Sequence, residues 1–156
     1  MSDTFYDRLA ALGLSLPAAP AAVAAYRPAV QSGNLAFISG QLPLADGKIG
    51  CTGRVGAAVS IEEGAEAARL CMLNVLAQLG ALLDGDFSRL ARVVKLTVFI
   101  NAGEGFGQHP AVANGASVLL QQLLGDRGEH ARSAVGVASL PFEAAVEVEA
   151  IAEIRA

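Results

Sequence analysis

Apolar residues return every three or four positions from Ala65 to Leu83: Ala65, Ala68, Met72, Val75, Leu76, Leu79 and Leu83. That spacing is one face of an α-helix. Ser60-Ile61-Glu62-Glu63 just before it fits a capping box, with Ser60 as N-cap and Glu63 reaching back to the backbone. Asp84-Gly85-Asp86 supplies the stop. A second helix is predicted from His109 to Leu124, with Val112, Ala116, Leu119, Leu120 and Leu123 as its stripe and Gly125 as its end. A short amphipathic helix over residues 4–13 places Phe5, Leu9 and Leu12 on one side, and Gly13 ends it.

Other segments carry strand signals. Val93 to Ile100, VVKLTVFI, is dense in β-branched residues and reads as a central strand. The apolar run NLAFISG marks a strand within Ala29–Ser39, followed by a partner strand, with a hairpin turn at Asp46-Gly47. Residues 131–154 read as two strands around a turn at Leu140-Pro141. The Ala/Pro-rich residues 15–28 form an extended arm with Tyr26 near its end. The order is arm, strand, strand, helix, strand, helix, strand, strand, with no internal repeat. It predicts an α+β layer in which two helices cover one face of a mixed sheet.

Alternation along the last two strands sharpens the picture. Arg132 shares a face with Ala134, Gly136 and Ala138, which leaves space beside the guanidinium; Ser133, Val135 and Val137 look like core. On the final strand Val146, Val148, Ala150, Ala152 and Ile154 are the apolar face, while Glu147, Glu149 and Glu153 share the other with Ile151. Periodicity by itself favours a solvated side for these glutamates, and a surface ion pair with Arg132 is a further plain reading. A guanidinium also matches the two oxygens of a small carboxylate.

Composition adds an assembly question. A chain of 156 residues suggests one domain. Hydrophobic residues reach 53% and charged residues only 17%, an excess that either a large core or a sizeable subunit interface would absorb, with an oligomer the favoured reading. The net charge is −4 and the 11 basic residues are scattered, so the electrostatic footprint of nucleic-acid binding is missing. Pro17 and Pro20 interrupt the apolar N-terminal stretch and no basic leader precedes it, so neither a membrane span nor a signal peptide is predicted and a cytoplasmic protein is expected. Cys51 and Cys71 form no metal spacing, and no metal is expected. Neither His109, before Pro110, nor His130, just before a strand, joins a metal pattern. Ser39 lies in Ser-Gly-Gln, outside any hydrolase elbow. Phosphate- and dinucleotide-binding glycine motifs are absent.

Four segments then carry a resemblance: PAAVAAYRPAV (20–30), FISGQLP (37–43), GDFSRLARVVKLTVFI (85–100) and ARSAVGVASLPFEAAVEVEAIAEI (131–154). In this order they resemble the reactive intermediate deaminase family, also known as YjgF-like or L-PSP endoribonuclease-like proteins. The resemblance implies a chorismate-mutase-like α+β subunit in a homotrimer, with sites in clefts between subunits. It implies hydrolysis of enamine or imine intermediates (2-imino acids) to 2-oxoacids and ammonia, without a cofactor. Arg132 matches the arginine that grips the substrate carboxylate and Glu147 the glutamate that places water. Tyr26, Ser39 and Asn114 match substrate-binding positions, and Ala134 stands where many members have cysteine. Residues 1–19 would be an extra helix and arm on a single domain spanning 1–156, the mark of a longer, divergent branch. A non-catalytic small-carboxylate-binding or regulatory trimer is the alternative, and an endoribonuclease a weaker one.

Overall fold

The computed structural model describes residues 4–22 and 25–155; Met1, Ser2, Asp3, Val23, Ala24 and Ala156 lie outside them, so part of the predicted arm does too. The described chain runs α1 (Phe5–Ala11), β1 (Ala29–Ser32), β2 (Leu35–Gln41), β3 (Leu44–Ala45), β4 (Lys48–Ile49), α2 (Ile61–Leu82), β5 (Leu90–Asn101), α3 (His109–Leu124), β6 (Ala131–Val137) and β7 (Val146–Ile154). The main sheet has the order β1-β2-β7-β5-β6, and β3-β4 form a separate small ribbon.

Local chemistry sets the helix boundaries. The Ser60 backbone N–H donates to Glu63 Oε2 at 2.8 Å and the Glu63 N–H donates to Ser60 Oγ at 3.1 Å, completing the predicted box. Asp84 and Gly85, with φ of +52° and +81°, turn the chain out of α2. Thr4 and Asp7 form a second box that starts α1. Phe5 and Leu9 bury the apolar side of α1, and Phe5 stacks on Phe87 with ring centroids 3.7 Å apart.

One layer of side chains joins the helices to the sheet. Met72, Leu76 and Leu79 of α2, Leu96 and Ile100 of β5, and Leu119, Leu120 and Leu123 of α3 are fully buried. Burying each contributes about 1.5–3 kcal/mol. Val146, Val148, Ala150, Ala152 and Ile154 of β7 complete this core, as their alternation predicts.

Three expectations change. The predicted strand over 29–39 folds back on itself at Gly33, with Ser32 opposite Leu35, so it becomes the β1-β2 hairpin. Asp46-Gly47 does form a hairpin turn, but its strands are two residues each. The largest change concerns residues 131–154. β6 and β7 are not neighbours: β5 lies between them, parallel to β6 and antiparallel to β7. The connection through Leu140-Pro141 therefore steps over a strand.

That topology also reassigns faces. Directly paired residues point to the same side of a sheet. Leu96 pairs with both Arg132 and Ala150, so Arg132, Ala134 and Gly136 lie on the helix-covered side. Ser133, Val135 and Val137 lie on the other side and are not core; Val135 is 43% exposed. Phe37, Val30 and Ile151 extend this uncovered face, with Phe37 42% exposed.

Candidate functional site

Arg132 leaves the edge strand β6 toward α3. Its Nη1 donates to Asn114 Oδ1 at 2.8 Å and to Ser117 Oγ at 3.1 Å. Asn114 and Ser117 are three residues apart, so they share one side of the helix. Their two acceptors use both Nη1 hydrogens. Among the described residues, Nε and Nη2 have no partner and keep the forked edge that fits a carboxylate. A surface cavity of about 470 Å³ opens here, lined by Asn114, Ser117, Gln121, Glu129, His130 and Arg132.

The small residues after Arg132 serve another purpose than the one expected. A methyl group on Gly136 would meet His109 Nε2 at 2.8 Å and Ala102 Cβ at 3.3 Å. Gly136 thus lets the start of α3 settle on β6, and His109 fills room that the sequence suggested was free. Ala134 packs against the core and lines neither this cavity nor the one holding Glu147.

Glu147 occupies the opposite side of the sheet, paired with Phe99. An Arg132–Glu147 ion pair within one subunit is therefore excluded by the register. The carboxylate sits in a cavity of about 200 Å³ with Tyr26, Gly40, Gln41, Leu42, Pro141 and Phe142. Burial, and then the negative charge of Glu149, raise its pKa above the ordinary glutamate value. None of the described residues gives it a hydrogen bond, so its lone pairs are available to water or ligand.

Glycine decides where that carboxylate goes. Ile38 pairs with Ala150 and Gln41 with Val148, so β2 carries one extra residue here, a β-bulge. Gly40 lies in the bulge, and a methyl group on it would overlap Glu147 Oε1. The absence of a Cβ is what admits the glutamate.

Ser39 has a different task. Its hydroxyl donates to the Arg27 carbonyl at 2.9 Å, and its N–H donates to the Pro28 carbonyl at 2.9 Å. It tethers the segment that carries Tyr26. Gln78 Nε2 holds the same arm earlier, donating to the Pro20 carbonyl at 2.6 Å. Phe142, with φ of +55°, stands over the Glu147 cavity and is 72% exposed. Such a backbone conformation costs about 1–3 kcal/mol in a non-glycine residue and collects at functional sites.

Within one subunit, then, Tyr26 joins Glu147, Asn114 joins Arg132, Ser39 acts through the arm, and Ala134 stays in the packing. Gly40, Ser117 and Phe142 were missed, and His130 was named but set aside. The i, i+3 spacing of Asn114 and Ser117 signalled one of them. The two-residue step from His130 to Arg132 was too slight a pattern to single out the histidine. No group of three or more His, Cys, Asp or Glu residues among those described is placed to hold a metal ion. No described helix is long and apolar enough to cross a membrane.

A mixed sheet with one helix-covered face and one open face defines an α+β domain of the YjgF-like fold, here with a cavity at Arg132 and another at Glu147. Residues 16–154 match the family described as Endoribonuclease L-PSP, and the chain belongs to that family. It is 49% identical over 145 residues to Protein TCP17 of Trypanosoma cruzi, covering 92% of this chain and 90% of that one. A 2-iminobutanoate/2-iminopropanoate deaminase of Dermatophagoides farinae is 32% identical over 144 residues, covering 91% and 95%. The crystal structure of Atu1372 from Agrobacterium tumefaciens, described as of unknown function, superposes with a TM-score of 0.92 at 48% identity, over 99% of this chain and 95% of that one.

Proposed function

We propose that the protein hydrolyses small 2-imino acids to 2-oxoacids and ammonia, at sites completed between the subunits of a homotrimer. One observation carries the reading: Arg132 and Glu147 lie on opposite sides of the sheet, each facing its own open cavity. A carboxylate clamp and a perturbed carboxylate that cannot meet within one chain can meet across an interface. The uncovered apolar face around Phe37 and Val135 is a suitable surface for that contact. The deaminase name of the Dermatophagoides farinae relative agrees with the chemistry. In this reading residues 1–19 add a helix and arm to a single domain.

The reaction needs few groups. The free edge of Arg132 holds the substrate carboxylate, each charge-assisted bond contributing about 1.5–3 kcal/mol, and sets the C=N carbon against Glu147 of a neighbouring copy. Glu147 takes a proton from water as the oxygen bonds to that carbon. That proton passes to the nitrogen, giving a carbinolamine; Glu147 then takes the hydroxyl proton and returns it to the nitrogen as the C=O bond forms and the C–N bond breaks, so that ammonia leaves and a 2-oxoacid remains. A raised pKa suits Glu147 to these proton transfers. Tyr26, Phe142 and the Gly40 backbone wall the pocket. The acidic net charge and scattered basic residues weigh against RNA as substrate.

The test is complementation in a dehydratase-coupled assay of 2-oxoacid formation. Arg132→Ala and Glu147→Gln proteins should each be inactive. Refolded together in equal amounts, they should recover about one quarter of wild-type activity, the share of randomly assembled inter-subunit sites that receive both intact residues. No recovery from a properly assembled mixture would sink the shared-site reading. Full activity of either single variant would sink the residue assignment, and carboxylate binding without turnover in the wild type would leave a binding trimer.

A further inference from the structure

Ser117 Oγ and His130 Nε2 are 2.9 Å apart, and His130 Nδ1 is 2.6 Å from the Gly128 carbonyl oxygen. A carbonyl only accepts, so Nδ1 carries the proton. In the neutral ring Nε2 is then an acceptor and takes the Ser117 hydroxyl proton. That orientation turns the oxygen lone pairs of Ser117 toward Arg132, whose Nη1 donates to it at 3.1 Å. Donation runs one way along the chain Arg132, Ser117, His130, Gly128.

A serine and histidine in contact also suggest a nucleophile and its base. The surroundings argue otherwise. Ser117 lies inside α3, where neighbouring backbone N–H groups are used by the helix and offer no pair of donors for an oxyanion. Its oxygen already accepts from a guanidinium. The two residues are better suited to holding a cation than to attacking a substrate.

The geometry points to His130 and Ser117 as positioning residues for Arg132: through one tautomer of His130, they fix which edge of the guanidinium is presented to a small carboxylate. This rests on the carboxylate-clamp reading of Arg132 given above. Asn114 holds the same nitrogen from the preceding turn of α3 at 2.8 Å. Together the two acceptors immobilise Nη1 and leave Nε and Nη2 for the ligand, so ordering of the long side chain is completed before binding. His130 comes from the segment that enters β6 and Ser117 from α3, so the link also ties the clamp to the seam between helix and sheet edge.

The experiment is calorimetric titration of the assembled protein with 2-oxobutyrate, paired with steady-state kinetics. Loss of a hydrogen bond that acts on a charged group corresponds to roughly tenfold in affinity. His130→Leu should therefore weaken 2-oxobutyrate binding and raise KM by about that factor, with kcat changing far less. His130→Gln, whose Oε1 can accept where Nε2 did, should recover most of the loss; so should Ser117→Thr relative to Ser117→Ala. Wild-type affinity in His130→Leu, alongside lost binding in Arg132→Ala, would overturn the inference. Unchanged binding in Arg132→Ala would strike instead at the clamp reading. A second measurement does not depend on the variants folding: long-range ¹⁵N–¹H correlation in the wild type should show His130 protonated on Nδ1. A proton on Nε2 in the neutral ring would overturn the link.

Discussion

Arg132 and Glu147 are held in opposite ways. The guanidinium is fixed by positive contacts, with Asn114 and Ser117 on one helix occupying a single nitrogen. The carboxylate has no such cradle among the described residues and is placed by exclusion: a bulge brings in Gly40, whose missing side chain leaves the room that Oε1 uses. Burial then makes the charge costly, which the arginine on its half-exposed edge avoids. A binding group benefits from rigid hydrogen bonds that leave one edge free. A proton-transfer group benefits from an environment that lifts its pKa and leaves its lone pairs unspent.

If that division holds, the two half-sites should fail in different ways. The largest effect is expected from Glu147→Gln, which keeps shape and removes the base. Turnover should fall by about 10²–10⁴-fold, while calorimetric affinity for 2-oxobutyrate stays within a few-fold of wild type. Comparable losses of affinity and turnover would make Glu147 a binding residue as well and erase the contrast.

Gly40→Ala comes next, because it attacks placement without substituting either charged residue. The added methyl group forces the Glu147 carboxylate to move, and a displacement of about 1 Å can cost roughly 10²-fold in rate. A fall of that order in kcat with intact assembly and little change in KM would support placement by exclusion. An unaltered kcat would show that Glu147 has room elsewhere.

The smallest effect concerns pH. Glu147 must be ionised to accept a proton, so activity is lost as pH falls through its folded-state value. Burial, with the Glu149 charge second, raises that value, so the acid limb should lie above the ordinary glutamate range. Glu149→Gln removes the second cause only. It should move the limb of kcat toward lower pH by less than about one unit, with the remaining elevation due to burial. A limb that stays in place, or moves up, would show that the charge of Glu149 does not reach Glu147.

Much of this was legible along the chain. α3 begins and ends at the predicted residues, and the Ser60-Glu63 box is present, because these features depend on neighbours within one or two turns. The alternation of β7 correctly separated its buried valines from its glutamates. The same rule misled on β6. Alternation says which residues share a side but not which side meets the helices, and Ser133, Val135 and Val137 were assigned to the wrong one. His130 carried too little local pattern to stand out, although it sits two residues before Arg132.

By itself the sequence determined the helices and the cap of α2, the apolar face of β7 and, through resemblance, the pair of residues on which to focus. Only the tertiary structure decided that β5 separates β6 from β7, and hence that Arg132 and Glu147 lie on opposite sides of the sheet. It alone decided that the small residue at Gly136 makes room for His109 while the one at Gly40 makes room for Glu147. Helix periodicity and capping are written into contiguous residues, whereas strand order and register are chosen by contacts between segments far apart in the chain. A one-residue change in register moves every side chain of a strand to the other face, so the geometry of this site exists only once the sheet is assembled.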